Sequence, residues 1–139
     1  MQIRPYKITD QKNVIDLWIQ CELVKPWNNP VKDIERKLQV NPELFLVGEE
    51  NSEIVATAMA GYDGHRGWVN YLAVSPSARQ SGLGRKLMVH VEKLLVKRGC
   101  PKINLQIRCT NSRAVEFYKA IGYDVDEVIG MGKRLIPDN

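Results

Sequence analysis

Cysteine is scarce in this 139-residue chain, and its three thiols, Cys21, Cys100 and Cys109, are odd in number and widely separated. That pattern fits neither a disulfide framework nor a C-x-x-C metal or redox pair, so free thiols are expected. Histidine is scarcer still: His65 and His90 stand far apart with no cysteine near either, and no metal is expected. No stretch approaches the ~20 apolar residues of a membrane span, and Met1-Gln2-Ile3-Arg4-Pro5-Tyr6-Lys7 has no apolar signal-like region. A cytoplasmic protein without a membrane partner is the expectation. Internal repeats, low-complexity tracts and runs of like charge are missing, as is any linker. The formal net charge of +4 comes from dispersed Lys and Arg with no recognised nucleic-acid motif. A solvated surface that steers a polyanionic ligand is favoured over one that binds DNA or RNA.

What is present is an ordinary globular balance, 44% hydrophobic and 26% charged, long enough for one α/β domain over residues 1–139. Residues 2–7 read as a strand, followed by a helix capped near Thr9 or Asp10 with Val14, Leu17, Trp18 and Cys21 on one stripe. Asn29 is a favoured N-cap and Pro30 suits the first position of a second helix, whose Val31, Ile34 and Leu38 share a face. A hairpin, 44–49 and 54–62, turns through Glu50-Asn51-Ser52-Glu53, and residues 68–74 add a strand stopped by Ser75-Pro76. A helix over 83–98 carries Leu83, Leu87, Val91 and Leu94 or Leu95, and Gly99 with Pro101 ends it. Then come a strand over 102–108, a helix over 112–121 stopped at Gly122, and a closing hairpin of 123–128 and 129–135.

The most informative segment is Arg79-Gln80-Ser81-Gly82-Leu83-Gly84, set between the 68–74 strand and the helix. Glycine admits close backbone approach, and a helix start offers unsatisfied N–H donors with about half a positive charge, so the segment reads as a phosphate cradle. Arg79, Arg85 and Lys86 add charge. A P-loop needs Lys-Ser or Lys-Thr after its last glycine, but Arg85-Lys86 follows Gly84. A Rossmann fingerprint needs a third glycine where Leu87 stands.

What remains, R-x-x-G-x-G, resembles the pyrophosphate loop of the GNAT superfamily of N-acetyltransferases, whose acyl donor is acetyl-CoA. Asn111-Ser112-Arg113-Ala114-Val115-Glu116-Phe117-Tyr118-Lys119-Ala120-Ile121-Gly122-Tyr123 resembles its second signature, N-x-x-A-x-x-x-Y-x-x-x-G-[FY], in the same order along the chain. The 25–37 and 61–68 segments and the last part of the chain further resemble a bacterial subgroup of small acetyltransferases. The resemblance implies a mixed central sheet flanked by helices, with the fourth and fifth strands splayed to admit the cofactor. It assigns cofactor contacts to Leu72, Ala73, Val74, Arg79, Gln80, Ser81, Gly82, Leu83, Gly84, Arg85, Asn111 and Tyr118.

Pantetheine is extended and carries two amides, so it would lie along a strand edge at Leu72, Ala73 and Val74, where a backbone N–H would also polarise the thioester carbonyl. By residue type these three are equally ordinary core. Tyr118 is the general-acid candidate, because a phenol protonates a leaving thiolate when well placed. Asn111 serves as a helix N-cap and, by the resemblance, also as a cofactor contact. In some relatives the segment like Leu105-Gln106-Ile107-Arg108 carries a glutamate base, but Gln106 stands there. Glu22, Asp63, His65 and Tyr71 remain as titratable alternatives, and none is assigned as the base. Cys109 lacks a partnering histidine and is read as inert.

Acceptor specificity falls to the first two helices and the 61–68 loop, with Trp27, Asn28, Tyr62, Asp63, His65 and Trp68 as substrate-side residues. Glu22, Asp33 or Asp63 would suit an amine, and Arg36, Lys37 or Arg66 a carboxylate. The expected reaction is acetyl transfer from acetyl-CoA to a primary amine by direct attack in a ternary complex. The acceptor would be an amino acid, a peptide N-terminus or a small amine. A non-catalytic acyl-CoA sensor, kept open by Gln106, and a nucleic-acid-binding protein are the rivals. A homodimer is compatible with the chain.

Overall fold

Alternation of side chains along two β-rich segments sets the architecture. In the computed structural model, which describes residues 1–138, Phe45, Val47 and Met59 join Val14, Leu17, Trp18 and Ile34 in one core cluster. The intervening Ala56, Ala58 and Ala60 therefore face the other side of the sheet, since neighbouring strand residues point to opposite faces. Five strands, β1 (Gln2–Pro5), β2 (Phe45–Glu50), β3 (Glu53–Tyr62), β4 (Gly67–Val74) and β5 (Ile103–Asn104), lie in the order β1-β2-β3-β4-β5. The first three pairings are antiparallel and β4–β5 is parallel. Helices α1 (Gln11–Gln20), α2 (Pro30–Lys37), α3 (Leu83–Lys97) and α4 (Ser112–Ala120) complete the chain. Residues 1–104 with Asp138 form one compact unit and residues 105–137 a second.

Each helix of the larger unit forms for a local reason. The Asn29 side chain accepts from the Lys32 amide at 3.1 Å and Pro30 opens α2, a cap worth about 1 kcal/mol. Helix α3 buries Leu83, Leu87, Met88, Val91 and Leu95 and packs against β3 and β4. Its far end comes so close to the sheet that a Cβ on Gly67 would stand 2.8 Å from Cys100 Sγ and 3.0 Å from Leu95 Cδ1. Asp10 precedes α1 but makes no side-chain bond to the helix. Its carboxylate accepts instead from the Lys7 amide and from both Arg4 terminal nitrogens, while Arg4 also reaches Glu49 at 2.7 Å. That fork joins β1, β2 and the start of α1, and the Arg4 guanidinium holds the Asp10 carboxyl below its usual range.

The strand expected over 102–108 is only Ile103–Asn104, and among the described residues no strand follows it. The 123–135 hairpin does not form, and Val125, Val128, Ile129 and Met131 there are between 73% and 90% exposed. A β-rich composition stabilises a strand only where a face is covered and a neighbour supplies the ladder, and Gly130 and Gly132 weaken the segment further.

The core is organised around a stack of aromatic rings. Tyr6 lies on Phe45 at 4.4 Å, Phe45 is 6.2 Å from Trp18, and Trp18 stacks on Tyr71 at 3.9 Å. Trp18 Nε1 donates to Thr57 Oγ1 at 2.9 Å, and that hydroxyl donates to the Tyr71 carbonyl at 2.8 Å. Trp18 and Thr57 are fully buried, so neither water nor another residue replaces the link at no cost. Thr57→Val keeps the shape and strands both partners. We expect a loss of roughly 2–4 kcal/mol, at about 1–3 kcal/mol per unsatisfied buried group, with Thr57→Ser losing less. Urea unfolding of the two variants checks this; equal stability of Thr57→Val and the parent would contradict it.

Candidate functional site

Two strands that start side by side and then part company define the site. Gly67 pairs with Ile103 and Trp68 with Asn104, but among the described residues no further pairing continues β4 on that side. On that side, among the described residues, the edge from Val69 to Val74 is thus left without a strand partner. Midway along it the chain bulges: Thr57 pairs with Ala73 and Met59 with Asn70, so Tyr71 and Leu72 together oppose Ala58. Tyr71 sits at φ 53°, a left-handed conformation unusual for a bulky residue. Such strain costs on the order of 1–3 kcal/mol and persists where the surroundings over-determine it. Here they do so three times: the Trp18 stack, the Thr57 hydroxyl on the Tyr71 carbonyl, and a phenol that donates to Asp33 Oδ2 at 2.6 Å and accepts from Asn28 Nδ2 at 2.7 Å.

Beyond Val74 the chain runs through a short turn, Pro76–Ala78, into the glycine segment. Gln80 and Gly82 both adopt positive φ, 67° and 81°, and Gly82 is the N-cap of α3. The first intrahelical bond runs from the Lys86 amide to the Gly82 carbonyl at 3.0 Å. The amides of Leu83, Gly84 and Arg85 therefore have no acceptor within the helix. Among the described residues, and apart from its neighbours along the chain, nothing lies within 4 Å of where a Gly82 Cβ would be, so the cradle is open. Arg79 is turned back: its Nε donates to the Val74 carbonyl at 3.2 Å, tying the loop to the end of β4. The Ser81 hydroxyl likewise donates to Ala78 and shapes the turn from within. Leu72 and Val74 are half-buried and Ala73 is buried, which matches packing side chains on a strand whose backbone edge is open.

The residues expected on the substrate side fall into two groups. Asn28 is joined to Tyr71 at the bulge and, through the Tyr71 hydroxyl, to Asp33, and exposed Trp27 precedes it. Tyr62, Asp63, His65 and Trp68 organise their own loop at the β5-paired end of β4. Asp63 Oδ1 accepts from the His65 and Arg66 amides at 2.8 and 2.7 Å, its Oδ2 from Trp68 Nε1 at 3.4 Å, and the Tyr62 hydroxyl donates to Gly64. Those amides hold the Asp63 carboxyl below its ordinary range. The Tyr71 phenol, by contrast, is pushed up by burial and then by Asp33, which it serves as donor. Thr57, which holds the bulge, carries no sequence signal beyond being a hydroxyl in an apolar strand.

In the smaller unit, Asn111 caps α4 by accepting from the Ala114 amide at 3.1 Å. Tyr118 is buried there, edge-on to Phe117 at 5.0 Å and Tyr123 at 5.5 Å. Burial raises its pKa, so the phenol keeps its proton through the neutral range. Gln106 and Cys109 are exposed.

The comparisons with known proteins agree with this geometry. A model of the acetyltransferase (GNAT) family matches residues 12–123. An acetyltransferase of Pectobacterium atrosepticum is 48% identical over 138 residues, 99% of this chain and 98% of that protein. One of Sodalis glossinidius is also 48% identical, over 139 residues, with the same coverage. Among solved structures, the apo aminoglycoside antibiotic 6'-N-acetyltransferase AAC(6')-IG of Acinetobacter haemolyticus has a TM-score of 0.74 at 16% identity, covering 98% of this chain and 100% of its own. AAC(6')-Iy in complex with the bisubstrate analogue CoA-S-monomethyl-acetylneamine has a TM-score of 0.76 at 20% identity, covering 96% and 97%. The chain belongs to the GNAT family of acetyltransferases, which use acetyl-CoA as donor.

The residues present fit that donor. Among the described residues the β4 edge beyond Trp68 has no strand on the β5 side, the start of α3 is open, and Asn104 Oδ1, where β4 and β5 part, is a buried acceptor without a hydrogen-bond partner. An amide N–H is the group such an acceptor lacks. If Gly82 cups the pyrophosphate, Gly82→Val forces a β-branched side chain into left-handed backbone, at about 1–2 kcal/mol. A loop that relaxes away from that strain must recover its shape to bind, so acetyl-CoA affinity falls roughly tenfold. Calorimetry on the folded variant checks this; undiminished affinity would remove Gly82 from the cradle.

Proposed function

We propose that this protein transfers the acetyl group of acetyl-CoA to a primary amine by direct attack in a ternary complex. The observation that carries the reading is the β4 edge, open beyond Trp68, bulged at Tyr71 and leading through the Pro76–Ala78 turn to the Gly82 start of α3. The Leu72–Val74 stretch would hold the pantetheine arm and the Arg79–Arg85 segment, with Asn111, the phosphates; a strand-edge amide would polarise the thioester carbonyl. The amine nitrogen then bonds to the carbonyl carbon, the C–S bond breaks, and Tyr118 gives its proton to the departing sulfur. The surplus proton on nitrogen leaves through water, and the phenolate is reprotonated from solvent.

The acceptor would enter on the side of Trp27, Asn28 and the loop carrying Tyr62, Asp63, His65 and Trp68. Two of the titratable groups there are poorly suited to act as a base. Asp63 is stabilised as a carboxylate by its own loop, and Tyr71 is a hydrogen-bond donor. Two outcomes follow. Tyr118→Phe lowers kcat by about 10²–10⁴ with little change in acetyl-CoA affinity, measured by thiol release. Without a protein base, the rising limb of kcat/KM moves with the amine: it lies near pH ~8 for an α-amine and toward ~10.4 for a lysine-type amine. Unchanged turnover in Tyr118→Phe, where chemistry limits the rate, would remove the acid. A limb fixed near pH ~6–7 for both amines would reveal a dedicated base.

A further inference from the structure

Asp138 is the last described residue, yet its side chain is only 2% exposed. Buried carboxylates demand compensation, and this one has it from residues of α2 and its cap. Asp138 Oδ1 accepts from Arg36 Nη2 at 2.7 Å, its Oδ2 accepts from the Asn29 amide at 2.9 Å and more weakly from Arg36 Nη1 at 3.5 Å, and its backbone carbonyl accepts from Lys32 Nζ at 3.3 Å. The Arg36 side chain is 46% exposed, so the cradle opens to solvent on one side.

The location connects it to the site. Arg36 Nη1 also donates to Asp33 at 3.3 Å, and Asp33 accepts from the Tyr71 phenol at the β4 bulge. The charge of Asp138 itself adds to the upward push that burial and Asp33 give that phenol. A carboxylate cradle is thus one side chain away from the bulged strand edge, on the flank where the acceptor would enter.

We infer that Arg36, Lys32 and the Asn29 amide form a carboxylate-binding subsite for the acceptor, and that Asp138 occupies it as an internal competitor. The inference rests on the acceptor-side reading above and narrows it: the favoured amine carries a carboxylate, as an amino acid does, and binds by displacing Asp138. Arg36 and the Asn29 amide offer an incoming carboxylate the bonds they make to that of Asp138, and Lys32, now on the Asp138 backbone carbonyl, stands beside them as a further cation. If Asp138 fills the subsite nine-tenths of the time, removing it strengthens apparent binding about tenfold, because apparent affinity scales with the fraction of competent sites.

The test needs no turnover. N-acetylglycine and its uncharged counterpart N-acetylglycinamide are titrated into the full-length protein while the Asn29 amide and Arg36 guanidinium NMR signals are followed. In Asp138→Ala we expect N-acetylglycine to bind at least about fivefold more tightly than in the parent, with both signals shifting. The amide should gain nothing, and adding Arg36→Gln should abolish the gain. Asp138→Asn, which keeps the shape, gives the same direction if the alanine variant does not fold. Equal carboxylate affinity in parent and variants, or an equal gain for the amide, would overturn the subsite and leave Asp138 as a strap on α2. A chain that binds the carboxylate as expected but acetylates no amine would sink the acetyl-transfer reading while leaving the anion subsite standing.

Discussion

A single backbone residue in an unfavourable conformation determines much of this structure. Tyr71 is held left-handed in the middle of β4 by a buried chain of donors, Trp18 to Thr57 to the Tyr71 carbonyl, with the indole stacked on the phenol ring. The bulge breaks the even alternation of β4, and bulges bend and re-aim the strand that carries them. Because the same residue reaches Asp33 and Asn28 through its hydroxyl, it also positions α2 and the chain that leads into it. Core packing, open strand edge and the polar network of Asn28, Tyr71 and Asp33 therefore meet at one position. A protein with few aromatic residues places four of them in the stack that enforces it.

The electrostatics divide in a similar way. In the proposed reading, backbone amides at the start of α3 and the glycine that precedes them would supply the anion-binding end, while Arg79 is drawn back to Val74 as a brace. Ionic side chains concentrate elsewhere, in the Arg4 fork and around Arg36. The first is structural: Arg4 joins two strands to the start of α1. The second links Asp138, Asp33 and Tyr71, on the flank proposed for the acceptor.

The elements with strong periodicity or chemical punctuation were legible in the sequence. Asn29-Pro30 announces α2, Pro76 ends β4, and the paired glycines mark the start of α3, each through a local steric or hydrogen-bonding cause. The features that depend on distant partners were not. Nothing in Tyr71 signals a positive φ, since the residues that favour one are Gly, Asn and Asp, and its conformation comes from Thr57 and Trp18. Asp10 reads as a helix cap, but Arg4 and the Lys7 amide outcompete the helix for its carboxylate. The 123–135 alternation reads as a hairpin, but no face is covered there and β5 is too short to extend a ladder. Asp138 had no signal at all, because a lone acid beside a proline is ordinarily solvated.

The central claim is that the open edge of β4 and the start of α3 receive one extended ligand together. Hydrogen exchange of the backbone amides, with and without saturating acetyl-CoA, addresses it most directly. The account predicts slowed exchange at residues 72–74 and 83–85 in the same titration, with the β1 edge unchanged. Binding of acetyl-CoA that leaves both segments exchanging as in the free protein would contradict it.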